Sequence, residues 1–118
     1  MVVIPFDKEK IRACIQIAAC ICGKDGVISE LEEQAIVTLV SERFPDFTLD
    51  DIERALSDFF NSNQQIEDYL ILVDDVEHRR FALYLAEKSA SADGLNVKEN
   101  IALEKAYLVW GITLGSAE

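Results

Sequence analysis

The sequence predicts an all-α fold: a single bundle of six or seven helices built from two related helical hairpins. Three observations carry that expectation. Apolar residues recur at helical spacing along nearly the whole chain, and beyond a short lead-in no run reads as a strand. Two Asp-Gly turns, Asp25-Gly26 and Asp93-Gly94, each leave one apolar helix and lead into another. Each turn is followed by a capping residue with a glutamate three positions on, Ser29 with Glu32 and Asn96 with Glu99. In that pattern a side-chain oxygen and a carboxylate together satisfy free N–H groups at a helix start.

The first helix shows its period in Ile11, Cys14, Ile15, Ala18, Ile21 and Cys22. Asp7 is its cap, Phe6 and Ile11 are spaced as a hydrophobic staple, and Gly23 closes it. The second runs from Ser29 to about Phe44 and is expected to bury Leu31, Ala35, Leu39 and Val40, with Glu30, Glu33 and Glu42 outward and Pro45 marking its end. A third begins at Thr48, with Phe47 and Ile52 as a second staple and Leu49, Ile52, Leu56, Phe59 and Phe60 on one stripe. Asn61-Ser62-Asn63 breaks it. A short helical segment covers roughly Gln64 to Leu72, and Asp74 with Glu77 signals a long helix toward Ser89. Asn96 opens a last helix bearing Val97, Ile101, Leu103, Tyr107 and Trp110, which Gly111 ends. Asp25 and Asp93 stand 68 positions apart, so Cys14 to Phe44 corresponds to Ala82 to Ile112. The correspondence is one of pattern more than identity.

A length of 118 residues favours one domain over residues 1–118. Half the residues are hydrophobic and 28% are charged, a folded balance and not a disordered one. The net charge of −11 makes the average surface repel phosphate backbones, and no basic patch offsets it, so nucleic acid is not an expected partner. Cations, or a protein partner with a basic surface, fit better. The start of the chain lacks a cationic segment followed by a signal-length apolar core, and it reads as a lead-in strand or turn. The longest near-continuous apolar stretch, Ala13 to Cys22, is interrupted by Gln16 and falls far short of the roughly 20 residues that cross a bilayer. No membrane span is expected. Cys14, Cys20 and Cys22 crowd one helix in odd number, a poor disulfide framework that fits a reducing cytoplasm.

From Asp25 onward, Asp-Gly-Val-Ile-Ser-Glu-Leu-Glu follows the last eight positions of an EF-hand loop. The first half does not, because Ile21 and Gly23 occupy places that should supply side-chain oxygens. In the second copy those places hold Ser89 and Ser91, and the terminal acid falls one position early at Glu99. Hard cations such as Ca²⁺ and Mg²⁺ need six or more oxygens, and one turn offers two carboxylates. A site shared between the turns would join Asp25, Glu32, Asp93 and Glu99 with backbone carbonyls and water. The competing reading needs no metal. Asp-Gly is a favoured turn dipeptide, and a glutamate at the third helical position caps its own helix at the positive end of the macrodipole.

The frame Ala-Ala-Cys-Ile-Cys-Gly-Lys-Asp-Gly-Val-Ile-Ser-Glu-Leu-Glu-Glu, the segment Ser-Ala-Ser-Ala-Asp-Gly and the closing Leu-Val-Trp-Gly-Ile together resemble the TerB-like (tellurite-resistance protein B) domains, from about Ile11 to Ile112. The resemblance implies an all-helical domain of two related halves and a non-enzymatic role. It further implies an acidic surface that chelates divalent metal, and a link to bacterial responses to tellurite and other stress. By position, Asp25 and Glu32 take the acidic places of the first motif and Asp93 that of the second. Asn100 stands where the family's second glutamate is usual, and Glu99 replaces it only across a loop one residue shorter.

Catalysis has little to stand on. His78 is the only histidine, no Ser-His-acid or Cys-His set can be assembled around it, and its neighbours Arg79 and Arg80 suggest a solvated helix start. Cys20 and Cys22, one residue apart, point to different sides of a helix, unlike redox or zinc pairs. The cysteines and the aromatics Phe59, Phe60, Tyr107 and Trp110 read as core. Two functional expectations follow: a cation-binding module of the stress-response type, or a helical adaptor whose acidic face docks a partner with no metal.

Overall fold

Six helices follow one another in a computed structural model that describes residues 7–22, 28–62, 64–92 and 101–111. They are α1 (Lys8–Cys22), α2 (Glu30–Arg43), α3 (Leu49–Phe60), α4 (Ile66–Leu70), α5 (Val76–Ala92) and α6 (Ile101–Trp110). Among the described residues there is no strand, and no helix is long and apolar enough to cross a membrane. The expected staple residue Phe6, the stop at Gly23, both Asp-Gly turns, and Asn96, Val97 and Glu99 lie outside the described residues.

Capping explains where most helices start. Ser29 accepts from the Glu32 N–H at 3.2 Å while Glu32 Oε1 accepts from the Ser29 N–H at 3.0 Å. Thr48 and Asp51 repeat this box at α3, at 3.1 and 3.0 Å. Asp7 Oδ1 accepts from the Lys10 N–H at 3.2 Å ahead of α1, and Asp68 accepts from the Gln65 N–H at 2.8 Å at α4. At the far end of the chain, Gly111 has φ +66 and donates its N–H to Leu108 O. Only glycine takes that left-handed conformation without a Cβ penalty, and it stops α6.

The core forms around α1, whose residues 13–19 are all buried. A helix that is apolar on every side belongs in an interior, and each fully buried isoleucine of the set Ile11, Ile15, Ile17 and Ile21 contributes about 1.5–3 kcal/mol relative to exposure. Three contacts align α1 with α5: Lys10 Nζ to Asp75 Oδ1 at 2.9 Å, Cys14 Sγ to His78 O at 3.4 Å, and Cys22 Sγ to Ser89 Oγ at 3.3 Å. Both numbers rise together, so the two helices run parallel. On another side, α3 is tied to α1 by Gln16 Nε2 donating to Ala55 O at 3.1 Å and by the Arg12–Asp58 ion pair. Phe44, just past α2, meets Phe81 of α5 edge to face at 5.1 Å. The α4 and α6 helices join through Trp110 Nε1 donating to Leu70 O at 3.1 Å and the Lys105–Glu67 ion pair at 3.0 Å.

Several expected faces are corrected. Leu31, expected in the core, is 54% exposed, because α2 buries the narrow stripe Glu32, Ile36 and Val40 and Leu31 sits about 100° away from it. In α3 the buried set is Ile52, Ala55 and Leu56, while Leu49 at the first helical position and Phe60 at the last lie past its ends and are about half exposed. The start of α5 is capped by Asp75, not Asp74: Asp75 Oδ2 accepts from the His78 N–H at 3.0 Å. His78 is not solvated. It shares the face of Ala82, Leu85 and Ser89 and is 1% exposed.

Candidate functional site

Two polar clusters mark the ends of the α1–α5 pair. At the C-terminal end, Ser89 Oγ donates to Leu85 O at 2.6 Å. Its single proton is thereby committed, so the 3.3 Å contact with Cys22 has the thiol as donor. The thiol keeps its proton: burial pushes Cys22 up to about 12, and the nearby Glu32 carboxylate adds to the rise. That carboxylate, at the first turn of α2, is itself buried. Glu32, Cys22 and Ser89 thus gather three helices at one end.

Of the four carboxylates expected to hold a cation, Glu32 is described and does what a capping glutamate does, while Asp25, Asp93 and Glu99 lie outside the described residues. Among the described residues no group of three or more His, Cys, Asp or Glu side chains is arranged to hold a metal ion.

At the N-terminal end of the same pair stands a cluster that sequence reasoning missed. Lys10 Nζ lies 2.8 Å from Asp74 Oδ1 and 2.9 Å from Asp75 Oδ1, and Asp75 Oδ2 accepts from His78 Nδ1 at 2.6 Å. Because a carboxylate only accepts, Nδ1 carries the proton. The hydrogen bonds Lys10 donates to Asp74 and then Asp75 raise it well above the ordinary ammonium range, so it stays charged at neutral pH. Burial alone would raise Asp75, but the Lys10 ammonium, the His78 N–H and the imidazole outweigh it and hold the carboxyl below its usual range. Among the described residues, His78 Nε2 is buried with no hydrogen-bond partner. The Asp75 to His78 spacing, a cap and its third helical residue, was the available signal, but two adjacent aspartates left the register open.

Compared with protein-family models, curated proteins and solved structures, the chain matches none. The geometry of its own residues therefore carries the functional reading.

Cys14 and Cys22 are buried and Cys20 is partly so. Burial, with the Glu67 carboxylate second, pushes Cys20 up to about 12, and burial with Asp75 second raises Cys14 further. Thiols held this way are poor nucleophiles and poor metal ligands, since the thiolate does both jobs. Of the aromatics expected in the core, Tyr107 and Trp110 are buried, Phe59 is partly buried and Phe60 is half exposed.

Proposed function

We propose that this chain is a non-enzymatic helical domain of the TerB-like, stress-response type that binds a divalent cation, Ca²⁺ or Mg²⁺, through its paired Asp-Gly segments. The observation that supports this reading is the parallel register of α1 and α5, closed by the 3.3 Å Cys22–Ser89 contact. Asp25 follows Cys22 by three residues and Asp93 follows Ala92 directly, so both acidic segments depart from adjoining helix ends. Glu32 already lies beside Cys22 there. On this reading α1 with α2 and α5 with α6 are the two related hairpins. Asp25, Glu32, Asp93 and Glu99, completed by backbone carbonyls and water, reach the oxygen count a hard cation requires. A net charge of −11 raises the local cation concentration.

Calorimetric titration with Ca²⁺, Mg²⁺, Mn²⁺ and Zn²⁺ tests the proposal. Saturable heat is expected at sub-millimolar concentration for a hard cation, weakened in Asp25→Asn and in Asp93→Asn. Absence of saturable heat below the millimolar range, or variants that titrate like the parent chain, would overturn it.

A further inference from the structure

The outward faces of α2 and α3 carry acids that the cation reading does not use. Between these helices lies a groove of about 320 Å³ whose walls are Glu33 from α2 and Glu53 from α3, with Leu56 and Phe60 among its lining residues. Glu33 also lines a second depression of about 480 Å³ on the outer face of α2, with Glu30 and Val37.

Two features of this groove call for a cationic, partly apolar occupant. Its carboxylates are uncompensated: among the described residues neither Glu33 nor Glu53 forms an ion pair, and Arg54, the neighbouring base on α3, is engaged by Asp50 at 3.0 Å. Its ring is presented and braced. Phe60 is 49% exposed, and the Phe59 ring meets it edge-on with centroids 5.4 Å apart. An aromatic face beside two carboxylates suits a side chain with an apolar stem and a positive head, which the ring quadrupole and the acids attract together. A small hydrated metal ion would gain nothing from the ring.

We propose that the α2–α3 groove seats a basic peptide segment of a partner protein, one arginine or lysine lying on Phe60 between Glu33 and Glu53. The Glu30–Glu33 depression receives the next basic side chain along the segment. None of these residues belongs to the proposed cation site, so either proposal can fail alone.

Fluorescence anisotropy with a short fluorescein-labelled peptide bearing arginine at every third position, at about 0.15 M salt, tests this docking surface. The parent chain is expected to bind it saturably, and a matched peptide with glutamate in place of arginine is expected not to bind. Phe60→Ala, which changes no charge, should weaken binding by about fivefold, and Glu33→Gln with Glu53→Gln by about tenfold. Glu104→Gln is an exposed acid on α6 and should change affinity less than about twofold. Parent-like binding by Phe60→Ala, or an effect of Glu104→Gln equal to that of Glu33→Gln, would reduce the interaction to the general field of an acidic protein and overturn the proposal. Thermal melts followed by circular dichroism check that each variant is folded.

Discussion

The Sγ of Cys22 lies 3.3 Å from the Oγ of Ser89, the last of three rungs that hold α1 parallel to α5. Parallel neighbours cannot be joined by a short turn, so the intervening chain must form a return path, and α2, α3 and α4 make it. The same rung brings together the two helix ends from which the acidic segments leave. A substitution there acts on helix register without removing any carboxylate.

Ser89→Leu places extra methylenes between two packed helices and should destabilise the fold by about 1–3 kcal/mol, as overpacking does. If the helix ends also organise a cation site, the calorimetric affinity should fall in the same variant. Urea denaturation with a parallel titration reads both; unchanged stability would mean that the register is not held at this rung.

Glu32 separates a capping role from a ligand role. Ser29→Ala should cost about 1 kcal/mol of stability through the lost cap. Glu32→Gln keeps an acceptor for the Ser29 N–H and should leave the urea midpoint nearly unchanged while lowering cation affinity. Equal cation binding by Glu32→Gln and the parent chain would confine Glu32 to capping.

The thiols should be slow to react. With Cys20 and Cys22 pushed up to about 12 by burial, and Cys14 raised further, little thiolate exists at pH 8. A chromogenic disulfide reagent should label Cys20 first, because it alone is partly exposed, and label all three only in denaturant. Rapid native labelling of Cys22 would contradict this packing.

Acid should loosen the Lys10–Asp75–His78 cluster. Asp75 sits below the ordinary carboxylate range in the folded chain, so its contribution is fully present above the unfolded value of about 4 and is lost as pH falls from there toward its depressed native value. Asp75→Ala should cost about 0.5–2 kcal/mol at pH 7 from the lost cap alone, with the gap to the parent chain narrowing below pH 4. Urea midpoints at pH 7 and pH 3 give the comparison; a gap that widens in acid would contradict the assignment.

The local chemistry was open to reading in one dimension. Ser29 with Glu32 and Thr48 with Asp51 are capping pairs whose partners lie three residues apart, and Gly111 ends α6 because a left-handed residue is required there. The buried period of α1 is likewise a property of Ile11, Ala18 and Ile21 alone. Misjudged faces share one cause. Leu31 and Leu49 are apolar by type, yet a helix buries only what a neighbour reaches, and periodicity does not say which neighbour comes or how wide its contact is. His78 went wrong in the opposite sense, since Asp75 accepts from its Nδ1 and α1 packs over it, Cys14 reaching its carbonyl from 64 positions away.

Sequence by itself determined the helical class, most helix starts and the acidic character of this protein, because caps, period and charge are set by residues within a few positions of one another. Tertiary structure alone decided that α1 and α5 run parallel with Cys22 against Ser89, that Lys10 is clamped by two aspartates, and that Glu33 and Glu53 line one groove. Those pairings depend on which helix faces meet, and that is chosen by the packing of the whole core.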